Sequence, residues 1–331
     1  MSKANSWDQL KTQIESGGML EIGLASSVLL ESLSAEDGYY SNDDHIGELE
    51  KLFLNPEIQW AGPSNEYHNL AINLSKLGRN RSACNVLEKG LAEYPACVDL
   101  LGDYLKYGID DVRWEQCENC YQVLKSLDRD DWNWRAYSFS IDYLLEKRKR
   151  TTSLSERKAL RSEVLRLAKA FVEKEESDLA YFDLANVYNA FNNRREERAT
   201  LEAAIAKNAF SPRCSLRLAD IDISAGNYHA ALKWLKVCEI AFKPQLDVNL
   251  AYVYLLKVLS KSSLLLSKIL EKKESDSRYQ EDAYSIYRDY NAAIAIGLDG
   301  IMRKTAKAVI AVIENQSEVK NTVGHSDALE F

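Results

Sequence analysis

An all-α fold built from helix hairpins is predicted by three features of this 331-residue chain. It has only 5 prolines, and none falls between Pro95 and Pro212. Proline breaks helices and strand interiors, so a long proline-free tract rich in Leu, Ala, Glu and Lys favours helix. Apolar residues recur at helical offsets along that tract. No stretch combines clear apolar–polar alternation with an Asn-Gly or Asp-Gly turn, the mark of a β-hairpin.

Taken in order, helices are expected near Trp7–Ser16, Met19–Ser34 and Ile46–Leu54. The stretch "NEYHNLAINLSKLGRNRSACNVLEKGLAEYP" then supplies a hairpin. Tyr67, Leu70, Ala71 and Leu74 share one helical face. Gly78 supplies a residue able to take positive φ and end that helix. Ala83, Leu87 and Leu91 stripe the return helix, which Pro95 closes. Small alanines let two helices approach closely at their crossing.

The pattern returns at Tyr181, Leu184, Ala185 and Tyr188, and again at Leu218, Ala219, Gly226, Tyr228, Ala231 and Leu235. Ala185 and Ala219 lie 34 residues apart. Four positions depart from the pattern. Ser215 and Asp222 replace aromatics, Glu197 replaces a small packing residue, and Pro212 comes late.

With these residues the chain resembles the tetratricopeptide repeat (TPR), a helix–turn–helix unit of about 34 residues. Two degenerate units fit between the clear copies, one around Leu101, Gly102, Cys117 and Tyr121, the other opening at Trp134 and Tyr137. Surplus residues near 146–158, "EKRKRTTSLSERK", lack an apolar stripe and are expected as an inter-helix loop or helix extension. After Pro244, helix pairs are expected over Leu246–Lys273 and Arg278–Asn315. The expected architecture is a right-handed α-solenoid of stacked TPR-like hairpins with irregular N-terminal helices. Its divisions are a helical cap over 1–62, the array over 63–275, a C-terminal helix pair or cap over 276–315 and a polar tail, expected to be disordered, over 316–331.

A net charge of −8 repels phosphate backbones and anionic membranes, so a protein or peptide is the expected partner rather than nucleic acid or membrane. The N-terminus "MSKANSWDQL" lacks the apolar core of a secretory signal. The apolar tract Ile22–Leu30 is too short to span a bilayer, and later ones are interrupted by Lys257, Lys261 and Lys268. The six scattered cysteines lack the density of a disulfide scaffold and suit small buried hydrophobes in a reducing compartment. A cytoplasmic protein is expected.

No enzyme constellation emerges. Cys117 and Cys120 form "CENC", but no second pair or nearby His completes a zinc site, and the βαβ context of a redox site is missing. His45, His68, His229 and His325 show no metal spacing. "GHSD" at Gly324–Asp327 holds adjacent residues that cannot relay a proton to one another. Gly17-Gly18 lacks the context of a phosphate loop. "SNDDH" at Ser41–His45 suits a loop and helix N-cap, and Asp128, Asp130 and Asp131 suit a turn. The basic run Lys147–Arg150, continued by Arg157, Lys158 and Arg161, is interleaved with Glu146 and Glu156 rather than aromatics, so a solvated face is preferred to a nucleic-acid patch. "SDALEF" near the C-terminal end is expected to be an untethered segment rather than a binding motif. No cofactor is implied.

The resemblance implies that the first helix of each hairpin lines a concave surface that binds peptides or helices. Opposite the packing face of Tyr181, Leu184 and Tyr188 stand Phe182, Asn186 and Asn189; the next such helix offers Arg213, Arg217 and Asp220. Amides can satisfy a bound backbone, and arginine forks pair with carboxylates. The family's carboxylate-clamp subset carries Lys and Asn where this chain has His68 and Ile72, which disfavours that ligand. The expected function is a non-enzymatic adaptor or scaffold, with a regulatory or sensor subunit of a separate effector enzyme as the alternative. The register itself is testable. Ala185→Leu should overpack a helix crossing and cost about 1–3 kcal/mol, read as a lowered thermal transition.

Overall fold

The computed structural model describes residues 6–33, 43–55, 57–244, 248–270 and 276–296, with single positions between 304 and 311. It separates into two compact units, Met1–Lys174 and Glu175–Phe331. The division falls inside the stretch from 63 to 275 that the sequence suggests is one array. The expected polar tail over 316–331, with "GHSD" and "SDALEF", lies outside the described residues.

In the first unit, α1 (Ser6–Glu15), α2 (Ile22–Leu33) and α3 (Asp43–Leu54) precede three hairpins. These are α4 (Ser64–Lys76) with α5 (Asn80–Glu93), α6 (Val98–Asp110) with α7 (Trp114–Ser126), and α8 (Trp134–Arg150) with α9 (Leu154–Lys174). Two short strands, β1 (Leu20–Glu21) and β2 (Trp60–Ala61), pair in parallel and tie the start of α2 to the entry of α4. Among the described residues they are the only departure from an all-α fold. α2 packs on α4 and α3 on α5, as α4 packs on α6 and α6 on α8. The N-terminal helices, irregular in their connections, thus continue the side-by-side stacking.

The sequence stripes go inside as the period requires. Tyr67, Leu70, Ala71 and Leu74 are buried on α4, and Ala83 and Leu87 on α5. Residues 146–150 extend α8, 154–158 open α9, and only 151–153 join them. Trp132 is buried and donates its indole N–H to the carbonyl of Leu124 at 3.1 Å. Tyr137 stacks on Phe171 with ring centres 5.0 Å apart.

The second unit contains α10 (Asp178–Ala190), α11 (Arg194–Lys207), α12 (Pro212–Ser224), α13 (Tyr228–Phe242), α14 (Val248–Leu270) and α15 (Asp276–Ile296). Each packs on the next, and α10 also lies against α12. Ala219, Ala231, Leu235, Cys238, Val253 and Leu256 form one core. The expected helix pair over Leu246–Lys273 is corrected: over its described residues it is one long helix, α14, which forms a hairpin with α15. The cause is local, since Leu246–Lys273 holds no Gly or Pro to stop the helix. Within Arg278–Asn315, α15 ends at Ile296 and helical positions recur between 304 and 311, with Ile310 buried against Ala283 and Ile286 of α15 and Val258 and Leu265 of α14.

By length and composition Asn249–Lys268 on α14 is apolar enough to cross a membrane, yet half of it is buried in this unit. Its lysines are paired here. Lys257 Nζ lies 2.8 Å from Glu239 and 3.4 Å from Asp289, and Lys261 Nζ lies 2.6 Å from Asp289. Asp289 is itself buried. These are the contacts of a core helix.

Four hairpins turn in the same way. Gly78, Val112, Asn192 and Gly226 have φ of 74°, 64°, 56° and 78°. Each donates its N–H three residues back, and the following residue donates five back: Arg79 to Leu74 at 3.0 Å, Arg113 to Gly108 at 2.8 Å, Asn193 to Tyr188 at 2.9 Å and Asn227 to Asp222 at 2.7 Å. This double closure satisfies carbonyls that a helix end otherwise leaves unpaired. Glycine takes positive φ freely and asparagine tolerates it. Val112 does not, because a β-branched side chain there crowds its own backbone. It is 62% exposed, so it recovers little by burial. Val112→Asn should therefore gain up to about 1 kcal/mol of stability, seen as a higher denaturant midpoint, whereas Gly78→Val should lower it.

Candidate functional site

α10 and α12 are the first helices of successive hairpins, packed side by side. Tyr181, Leu184 and Ala185 face the core, with Ala185 only 1% exposed. Helical periodicity therefore puts Phe182, Asn186 and Asn189 on the other side. With Arg213, Arg217 and Asp220 they line one groove of about 610 Å³. All six residues singled out in the sequence are brought together. Phe210, Leu216 and Phe242 add apolar wall, and Asn249 from α14 closes one side.

The six differ in how far the fold already uses them. Arg217 reaches Glu197 of α11 through Nε at 2.8 Å and Nη2 at 2.6 Å. Glu197 is fully buried and also accepts from Arg194 Nη1 at 3.0 Å. Asn189 Oδ1 accepts from the same Arg194 Nη1 at 2.9 Å. Asp220 accepts from the Tyr252 hydroxyl at 3.1 Å; burial raises its pKa, with the tyrosine hydrogen bond opposing. Arg213 remains half exposed, its guanidinium 3.6 Å from Asp178. The Asp178 carboxylate mainly caps α12, accepting from the backbone N–H of Arg213 at 3.0 Å and of Cys214 at 3.1 Å. Asn186 makes no side-chain hydrogen bond among the described residues.

Two of the positions that break the repeat pattern hold buried charges. Glu197 occupies a small-residue position, and a carboxylate there must be paired to be tolerated. Asp222, at an aromatic position, is fully buried, accepting from Arg198 Nη1 at 2.8 Å and from Trp234 Nε1 at 2.9 Å. Burial raises the Asp222 carboxyl, but these hydrogen bonds outweigh it and hold its pKa down. The sequence signals that Glu197 and Asp222 need partners; it does not say that Arg217 and Arg198 supply them.

The other candidates are absorbed by packing. Cys117 and Cys120 are buried on α7, and burial pushes both thiols up to about 12, far from a reactive thiolate at neutral pH. Among the described residues no group of three or more His, Cys, Asp and Glu could hold a metal ion. His45 stacks on Trp7 at 4.9 Å, and His68 Nδ1 lies 2.5 Å from Asp103 Oδ2. Asp128 accepts from the Asp130 N–H at 3.1 Å in a turn. Of "SNDDH", positions 41–42 lie outside the described residues. In the basic run, Lys147 meets Glu118 at 2.6 Å, Lys149 pairs with Glu146, and Arg150 stacks on Trp114 at 4.3 Å. Burial raises the Glu118 carboxyl, but hydrogen bonds from Lys147, Tyr143 and Gln122 bring it down to about 2.

Stacked helix hairpins with recurring αL turns define the class: an all-α protein of TPR-like fold. No protein-family model matches the chain, and no curated protein matches it. Among solved structures it is similar to a thermophilic TPR protein of Thermus thermophilus, at 19% identity over 61% of this chain and 100% of that one, with a TM-score of 0.48. A tetratricopeptide repeat protein of Parabacteroides merdae gives 13% identity over 94% of this chain and 100% of that one, with a TM-score of 0.45. Human IFIT1, solved as a dimer with m7Gppp-AAAA, gives 14% identity over 94% of this chain and 68% of that one, with a TM-score of 0.46.

The pairing separates the two groove arginines. Arg217→Ala leaves the buried Glu197 without its closest partner and should cost about 3–5 kcal/mol. Arg213→Ala, at a half-exposed side chain, should cost less than about 1 kcal/mol. Equilibrium denaturation of the two variants checks this.

Proposed function

We propose that the chain is a non-enzymatic interaction protein, an adaptor or scaffold, whose α10–α12 groove takes an extended segment of a protein partner. The observation that carries this reading is the convergence of Phe182, Asn186, Asn189, Arg213, Arg217 and Asp220 on one groove. Phe210 is 53% exposed beside them, an apolar surface left for a partner to cover. The unpartnered amide of Asn186 suits a peptide backbone, which needs both a donor and an acceptor.

A protein segment is favoured over nucleic acid by the chain's net charge of −8 and by the internal pairing of Lys147, Lys149 and Arg150. Six free cysteines fit work in a reducing compartment, which supports the cytoplasm. A regulatory subunit would use the same groove, so the adaptor reading and that alternative share one first test.

Peptides selected on the full chain from a random display library should bind wild-type protein and lose at least about tenfold in affinity to the Phe182→Ala, Asn186→Ala double variant. Isothermal titration measures the loss. Peptides that bind both proteins equally would place recognition elsewhere.

A further inference from the structure

The groove combines an apolar wall with two guanidinium groups and one carboxylate, and the fold consumes these charges unequally. Arg217 is held by a hydrogen bond from Nε and a close Nη2 ion-pair contact to Glu197, which is 0% exposed and in turn accepts from Arg194. That guanidinium is neutralised from beneath. Asp220 is engaged by the Tyr252 hydroxyl. Asp178 spends its two carboxylate oxygens on the first backbone N–H groups of α12. Arg213 is left with one long ion pair, 3.6 Å to Asp178, and a side chain 54% exposed. Of the groove's charged groups it is the one turned to solvent. It is flanked in the lining by Phe210, Pro212 and Leu216, with Phe182 and Phe242 nearby in the same groove.

We propose that this groove selects an acidic segment with an aromatic or large aliphatic anchor, whose Asp or Glu carboxylate pairs with Arg213. The proposal rests on the groove reading above and adds the chemistry of the occupant. An arginine fork accepts a carboxylate through two parallel hydrogen bonds. A basic segment would instead bring a second cation to a half-desolvated guanidinium. A phosphate backbone would also be attracted to Arg213, but Asp220 lines the same groove and Asp178 lies 3.6 Å from Arg213, and repeated anions are repelled there. A single carboxylate beside an apolar side chain avoids that repulsion.

The test begins with peptides selected from the random display library on the full chain. Synthetic pairs are then compared, differing only in Glu against Gln or in Phe against Ala, on wild-type protein, Arg213→Gln and Arg213→Lys. The selected peptides should be enriched in Asp or Glu close to an aromatic or Leu. Replacing the carboxylate should weaken binding to wild type about tenfold, and should change nothing on Arg213→Gln. Arg213→Lys, which keeps the charge but loses the fork, should fall between. An unchanged helical circular dichroism spectrum shows that each variant is folded.

Neutral or basic selected peptides, or carboxylate and Arg213 effects that simply add, would overturn the acidic preference. If Phe182→Ala still weakened those peptides, the groove reading would survive that result. If Phe182→Ala had no effect, both would fall. Displacement of the peptide by a single-stranded RNA oligonucleotide, with a steep dependence on salt, would overturn the proposal in favour of nucleic acid.

Discussion

A two-helix hairpin cannot bury its apolar stripes alone, and each unit is organised around that constraint. The first helices of four hairpins each bury a small residue: Ala71 on α4, Gly102 on α6, Ala185 on α10 and Ala219 on α12. At Gly102 a Cβ would lie only 3.3 Å from the backbone N of Ala136 on α8. Close approach then brings large polar side chains within reach across helices. Tyr104 donates to Glu88 at 2.6 Å and Tyr121 to Glu163 at 2.8 Å in the first unit. Tyr254 donates to Glu239 at 3.1 Å in the second. Each ring is packed against neighbouring helices while its hydroxyl ends on a carboxylate, so apolar burial and helix register are fixed by the same residue.

In the second unit the constraint is met partly by charge. Glu197 and Asp222 stand where a more regular repeat would place a small residue and an aromatic, and both are sealed from solvent. Their partners, Arg217 and Arg198, come from neighbouring helices, so each pair links α11 to α12. Buried pairs of this kind add little net stability over well-packed apolar residues, but they penalise misalignment strongly. The groove inherits that rigidity where Arg217 is anchored, whereas Arg213, one turn earlier on α12, keeps only its long ion pair with Asp178.

Helices ending at Gly78 and Gly226 were legible because glycine at a fixed offset after an apolar stripe has one common use. The equivalent turns at Val112 and Asn192 were not, since valine argues against positive φ and only the surrounding hydrogen bonds force it. Tyr67, Leu70, Ala71 and Leu74 announced their buried face by spacing alone. On α10 the same spacing named the groove residues Phe182, Asn186 and Asn189. On α12 it named Arg217 as well, without disclosing that a buried glutamate twenty positions earlier holds it, because pairing across helices leaves no local period. The length of α14 was missed for a related reason. Its interior lysines look like interruptions in the sequence, whereas Lys257 and Lys261 pair across helices with Glu239 and Asp289. The division after Lys174 has no punctuation in sequence, neither Pro nor Gly, and was invisible.

The buried glutamate at 197 carries a lesson for anyone regularising this sequence toward an idealised repeat. Alanine there looks like an improvement by every local rule, being a better helix former and the expected size. It would strand a guanidinium over an apolar interior and release a side chain on the groove wall at the same stroke. The irregular letter is the fastener, and smoothing the pattern would loosen the surface that distinguishes this chain from any other stack of hairpins.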